Sequence, residues 1–418
     1  ALSNIYANGM KLYVGKDIQI SGSDIYGGGY EKDITGSPVI EFYGKMADSA
    51  SIYGGGYNYQ VEGDIKLIVG GYISWSLIGG GHAEPDKNQS LSTINADVTG
   101  NIEIQLLKDG HVHNVLYGGG YVMSEKSDTT GTHSANVSGN INLDINGDVY
   151  CLNDSIVGGG VAIAKVSQET SLYANVGGNI TLTFGADASR KTKTEGIPVH
   201  GGGRASSYIS NNTKNIITSA KVGGDIKITA IEDSLASSGQ ENYRKFQYLY
   251  VGGNAAGRGA DASVQGNTYI QCGRVVRNSA QGIYGGGHAS YGGTADVIGT
   301  THITIVPIKN QANDYENAQG IYGGGKADGN YDSANQGRDL KVSQANVGGS
   351  IIKIEKGVKF SDTDNIINLL GGGYIETDGF TASFVADSDF KKCPAIAKVL
   401  GDIKIDIADD ITLPGGIY

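Results

Sequence analysis

The sequence predicts an all-β fold, a single-domain parallel β-helix (solenoid) of about eleven rungs with inserted loops, continuous over residues 1–418. Three observations carry this. Glycine is 67 of 418 residues, more than twice the usual share, while proline is only 6. Two short sequence words alternate strictly from end to end. No segment sustains the 3.6-residue apolar period of a helix.

The first word is an apolar residue, often Ile, then often Tyr, then three glycines. It reads Ile25-Tyr26-Gly27-Gly28-Gly29, Ile52-Tyr53-Gly54-Gly55-Gly56 and Leu116-Tyr117-Gly118-Gly119-Gly120. It recurs as Ile283-Tyr284-Gly285-Gly286-Gly287 and Ile321-Tyr322-Gly323-Gly324-Gly325. Looser copies begin at Leu77, Ile156, Val199 and Leu369. In Tyr250-Val251-Gly252-Gly253-Asn254 the third glycine is read as lost. A degenerate copy opens the chain at Ile5, and Ile417-Tyr418 begins another, so a fragment of a longer repeat protein is expected.

The second word is Val-x-Gly-(Asp/Asn)-Ile-x-(Ile/Leu). Examples are Val61-Glu62-Gly63-Asp64-Ile65-Lys66-Leu67 and Val98-Thr99-Gly100-Asn101-Ile102-Glu103-Ile104. Its Ile-x-Ile core alternates inward and outward, which is the period of a half-buried strand. Gly-(Asp/Asn) is expected to be a corner, glycine supplying a positive φ and Asp or Asn capping the turn. The glycine triplet is expected either to let backbones pass closely or to leave a flat outer floor. Ala83, Ala162, Ala205, Ala289 and Ala327, soon after triplets, predict walls that approach each other inside.

Unit lengths identify the solenoid. From Ile5 they run 20, 27, 25, 39, 40, 43, 51, 33, 38, 48 and 48 residues. The shortest are too small for a four-stranded propeller blade of about 40 residues, and eleven units exceed the 4 to 8 blades with which propellers close. A rung of two or three short strands fits, stacked at about 4.8 Å on the rung below. Eleven rungs at that pitch make a rod of about 50 Å.

The net charge of −11 disfavours nucleic acid and anionic lipid as partners, both of which require basic surface. No apolar run approaches the roughly 18 residues that span a bilayer, so membrane insertion is not expected. Cys151, Cys272 and Cys393 are each separated by 121 residues, several rungs apart. A disulfide needs Cα atoms within about 7 Å, so three free, mostly buried thiols are expected.

The Tyr-Gly-Gly-Gly rungs and the Gly-Asn/Asp corners resemble the pectate-lyase-like right-handed β-helix proteins, in their glycine-rich bacterial surface and adhesin-like branch. The resemblance covers essentially the whole chain. It implies a right-handed winding and an extracellular protein, secreted or on a bacterial cell surface. That class includes polysaccharide lyases, glycoside hydrolases and non-catalytic adhesins, so fold alone does not give activity. The first expectation is a non-enzymatic surface adhesin or stalk binding polysaccharide or a cell-surface glycan. The alternatives are a secreted polysaccharide lyase or glycoside hydrolase, and a structural fibre subunit that self-associates end to end through its open edges.

No catalytic constellation is visible, and no cofactor is expected. Asp17, Asp64, Asp225 and Asp402 share a repeat position with Asn101, Asn140 and Asn179. A stack of corner residues is the first reading and a Ca2+ ladder the second. His111 and His113 could form half a metal site, but no further ligand is near in sequence. Arg258, Arg274 and Arg277 form one modest basic cluster.

The aromatic row offers the candidate ligand-binding residues. Tyr26 and Tyr30, Tyr53 and Tyr57, and Tyr117 and Tyr121 bracket triplets. Later rungs pair Tyr284 with His288 and Tyr322 with Lys326. Facing outward, these rings would form a ladder that stacks on sugar; facing inward, they would stabilise the rungs. Polar excursions at roughly 83–96, 122–136, 204–220, 230–248, 306–319, 326–345 and 374–397 are read as loops and as further binding candidates.

Overall fold

The computed structural model describes residues 4–85, 93–125, 130–150, 155–165, 169–185, 197–207, 216–230, 246–273, 282–307, 320–328, 342–358, 368–377, 380–381, 395–411 and 417. Among these residues the fold is all-β, a parallel β-helix. The first word forms an 11-stranded sheet from Ile5–Tyr6 to Asn368–Leu370, here called the tyrosine sheet. The second word forms another 11-stranded sheet, the isoleucine sheet, from Lys11–Val14 to Ile403–Ile407. Neighbouring strands are parallel and in register, with Ile65, Ile102, Ile141, Ile180 and Ile226 stacked one per rung. A 5-stranded sheet that includes Tyr72–Ile73 and His111–Val112 belongs to the same winding.

Side-chain alternation explains the core. Ile65, Leu67 and Val69 point into the tube and are buried, while Lys66 and Ile68 between them are partly exposed. One buried valine per rung, Val61, Val98, Val137, Val176, Val222, Val264, Val297 and Val347, continues the stack through single bridges. Because each rung contacts only its neighbours, stability accumulates rung by rung.

The expected two or three strands per rung holds for the rungs of Ile5 and Ile283, with three each, and is too few for the other rungs among the described residues. The rung that starts at Val115–Tyr117 continues through Tyr121–Ser124, Gly131–Ser134, Ile141–Ile145 and Asp148–Val149, five strands in all. Five of the segments read as loops, 83–96, 122–136, 204–220, 326–345 and 374–397, therefore carry strands at their ends. With strands from other rungs they form a 9-stranded, a 5-stranded and a 2-stranded sheet, which build a second lobe beside the tube. The sequence hides them because their inward residues are small: Ala83, Ala96, Ala135, Ala162, Ala164 and Ala174 pack with Ile94, Val122 and Leu172. Ala205, Ala289 and Ala327 continue the same narrow core, as the reading of close walls requires.

Glycine shapes the waist between tube and lobe. None of the Gly79-Gly80-Gly81 triplet has a positive φ; each is short of space instead. A Cβ on Gly79 would lie 2.1 Å from the Gly118 carbonyl oxygen of the next rung, and one on Gly80 2.6 Å from the Gly120 nitrogen. A Cβ on Gly81 would meet the Ala96 carbonyl at 2.1 Å across the waist. The same contacts recur at Gly118, Gly119 and Gly120. Close backbone approach, the first of the two expectations, is therefore the reason for the triplet.

Two other readings are corrected. Gly36 and Gly63 have positive φ, 158° and 154°, as the corner reading expects, but Gly100, Gly139 and Gly178 do not; the Cβ positions of these three are filled by the carbonyl or the Asp/Asn side chain of the rung below. At the seventh triplet, Leu249 and Tyr250 pair in register with Ile283 and Tyr284. The missing glycine is thus the first, replaced by buried Val251, while Gly252 and Gly253 hold the second and third positions. On several rungs the first glycine abuts the leading isoleucine, as Gly118 does Ile141, while Gly285 meets Thr301 and Gly323 meets Ser350. On the rung of Val251 that strand opens with the shorter Thr268, whose hydroxyl donates to the Gly285 carbonyl at 2.7 Å.

The Asp/Asn corners form a capping ladder. Asp64 Oδ1 accepts from the Asn101 N–H at 2.7 Å, Asn101 from Asn140 at 2.9 Å, and Asn140 from Asn179 at 2.8 Å. It continues from Asn179 to Asp225 and from Asp225 to Asn267, both at 2.7 Å. A parallel ladder runs through Asp97, Asn136 and Asn175. Asp and Asn alternate freely because both present the one acceptor that the next rung needs.

Candidate functional site

The tyrosine row lies outside the tube yet is mostly buried. Ile25 and Ile52 enter the main core, so Tyr26 and Tyr53, one residue on, leave it on the opposite face. The chain then turns at the triplet, and the outward residues of the 9-stranded sheet face them across a concave angle. Tyr26, Tyr53 and Tyr117 pack there with Val157, Val161 and Ile163, and Tyr57, Tyr121 and Met123 close over them. Rings on successive rungs stack: Tyr26 on Tyr53 at 4.8 Å and 6°, Tyr53 on His82 at 4.9 Å and 11°.

A second run follows farther along. Tyr284 lies between Tyr250 at 4.7 Å and Tyr322 at 4.6 Å, and His288 stacks on Tyr250 at 5.0 Å. The outward-facing ladder is therefore corrected for Tyr26, Tyr53, Tyr117, Tyr284 and Tyr322, which are buried. Burial raises the phenol pKa of Tyr26 and Tyr53 far above the ordinary value and that of Tyr322 to about 12. Tyr57, Tyr121 and His288 are half-buried, and Tyr30 is 58% exposed.

The stack has gaps, and two of them flank a groove. In register with the tyrosines, Ile78 and Val157 occupy two rungs on either side of Tyr117. Their shorter side chains leave a groove of about 590 Å³. Tyr53, Ile78, Val115, Tyr117 and Tyr121 line it together with Met123 and Ile163. Polar reach comes from Ser76, Asn114, Lys165 and Arg204. Trp75, the one tryptophan of the chain, stands at the edge, 43% exposed. The lining comes from five consecutive rungs, a run of about 19 Å at 4.8 Å per rung.

Of the candidate residues, Tyr53, Tyr117 and Tyr121 line this groove, while Tyr26, Tyr30, Tyr57, Tyr284, His288 and Tyr322 do not. Sequence reasoning missed Trp75, Asn114, Lys165 and Arg204. The legible signal was the loss of tyrosine at Ile78 and Val157, which marks where an aromatic stack must be hollow.

A polar cluster ends the same concave face. His288 Nε2 lies 2.8 Å from Asp328 Oδ2, and Lys326 Nζ lies 3.3 Å from Asp328 Oδ1. Burial works to raise the Asp328 pKa, but the hydrogen bond and charge of His288 and the charge of Lys326 outweigh it and hold it below the ordinary value. Lys326 is 2% exposed and Asp328 is buried, while His288 is half-buried at the border of the cluster. His200, in the same face, has its pKa lowered well below the ordinary value, first by burial and then by the charges of His288 and Arg204.

His111 and His113 lie 6.2 Å apart on another face, packed with Tyr72 and Tyr150. Among the described residues no three His, Cys, Asp or Glu side chains converge as a metal site. Asp64 and Asp225 serve the capping ladder, as the first reading of that row expected. Arg258 gives its carbonyl to the Ser207 hydroxyl; Arg274 and Arg277 lie outside the described residues, as do Cys151 and Cys393. Cys272 is a buried free thiol. No family model matches the chain, and neither does any curated protein or solved structure.

Proposed function

We propose that this chain is a non-enzymatic extracellular β-helix protein of a bacterial surface, an adhesin or stalk, that binds glycan in the groove beside Trp75. One observation carries the reading. A half-exposed indole borders an elongated groove whose floor is aromatic and aliphatic and whose rim is Asn, Ser, Lys and Arg. Sugar rings present an apolar face and a polar edge, so flat aromatic surface with amide and hydroxyl groups at its border suits them. The rigid stack beneath holds this surface in place without a conformational cost on binding.

The test is a glycan array followed by titration calorimetry, with Trp75→Ala as the comparison. Binding without turnover, weakened at least 10-fold in Trp75→Ala, is expected. That corresponds to about 1.4 kcal/mol. Release of reducing or unsaturated sugar at catalytic rates would replace this reading with that of a lyase or hydrolase. Absence of binding to any glycan would end it.

A further inference from the structure

The charge around the groove is segregated. The chain carries a net charge of −11, yet none of the twelve residues lining the groove is acidic and two are cations. Both cations stand at one end. Lys165 follows the strand Val161–Ala164, and Arg204 opens the strand of the next rung, in register with Val161. Trp75 stands at the other end, just before the strand Ser76–Ile78, and there the lining has no charge. On the outer face of the 9-stranded sheet the column runs His82, Tyr121, Val161 and then Arg204. The groove thus passes from aromatic to cationic along the rod axis.

We propose that the groove takes an oligosaccharide of mixed character: a neutral ring on Trp75 and a single anionic substituent, carboxylate or sulfate ester, at Lys165 and Arg204. This specificity rests on the glycan reading above. The guanidinium of Arg204 has the planar fork of N–H groups that suits two acceptor oxygens, and Lys165 adds a compact charge; an incoming anion joins or replaces the partners that both cations already have. Lys165 is paired with Glu125, so an incoming anion shares or replaces that carboxylate. The span of about 19 Å accommodates several sugar units along the axis. A chain with an anion on every unit would place uncompensated charge over the Trp75 end, where desolvation without a partner is unfavourable.

The experiment uses the intact chain and one oligosaccharide backbone in four forms: neutral, with a single terminal carboxylate, with a single sulfate ester, and anionic at every unit. Calorimetry at low and at high salt reads the affinities. One or both singly charged forms should bind about 10-fold tighter than the neutral form, with the advantage shrinking as salt rises. The carboxylate and sulfate arms identify which anion is held. The double variant Lys165→Gln with Arg204→Gln should erase the advantage, so that the singly charged and neutral forms bind it with equal affinity. Far-UV circular dichroism verifies that the fold is kept. Equal affinity for neutral and charged forms, an advantage that survives the double variant, or tightest binding of the fully anionic form would overturn the specificity. In each of those cases binding that still depends on Trp75 leaves the glycan reading standing; loss of all binding removes both.

Discussion

Gly80→Ala places the smallest available perturbation where two rungs touch. The added Cβ lies 2.6 Å from the Gly120 nitrogen and 2.7 Å from its Cα, both backbone atoms that cannot turn aside. Relief requires one rung to move by several tenths of an ångström. The bonds at stake run from the Gly80 N–H to the Gly119 carbonyl and from the Gly79 N–H to the Tyr117 carbonyl, both 2.9 Å. Overpacking costs about 1–3 kcal/mol and each of the two weakened bonds about 1 kcal/mol, so the local loss is about 3–5 kcal/mol. Gly15→Ala is the control, because its Cβ meets only the Tyr13 ring at 3.6 Å. There the alanine is neutral, or stabilises by a few tenths of a kcal/mol through the unfolded chain. Hydrogen exchange is the suitable assay, since a solenoid opens locally rather than in one transition. Faster exchange is expected in Ser76–Ile78 and Val115–Tyr117, with distant rungs unchanged. If Gly80→Ala exchanges like Gly15→Ala, then close approach of backbones is not what the triplet serves.

Asn140→Ala removes the acceptor for the Asn179 N–H and should cost about 1–2 kcal/mol locally, while Asn140→Asp keeps the acceptor and is nearly neutral; thermal melts distinguish them, and a chelator should not shift either curve. His200 is held neutral in the fold while the unfolded imidazole titrates near 6.5, so its contribution is complete above that pH and is lost as pH falls below it, by up to about 1.4 kcal/mol per pH unit. His200→Tyr, which copies the Tyr250 of the next rung, should flatten the pH dependence of the melting temperature between pH 6.5 and 5; an unchanged slope would refute the assignment. The buried thiol of Cys272, its pKa pushed up to about 12 by desolvation, should resist alkylation in the native protein and react on unfolding; native labelling at that site detected by mass spectrometry would contradict its burial.

The sequence alone determined the winding. Alternation in Ile102-Glu103-Ile104 assigns an inner and an outer face, and recurrence of that word forces like residues into register, because any slip would expose the isoleucines. It also placed the Asp/Asn corners and the alanine walls correctly. Tertiary structure decided what short-range pattern cannot encode. Whether the strand after each triplet belongs to the tube or to a second lobe depends on where Gly81 meets Ala96, a contact 15 residues distant in the chain. The face of Tyr26 was predictable from alternation, but its burial was not, since the side chains that cover it come from other strands and other rungs. The groove follows the same logic: Trp75, Lys165 and Arg204 stand far apart in sequence, and only stacking of five rungs places them along one hollow. A repeat specifies which residues lie above one another; the angle between sheets specifies which of them meet across the gap.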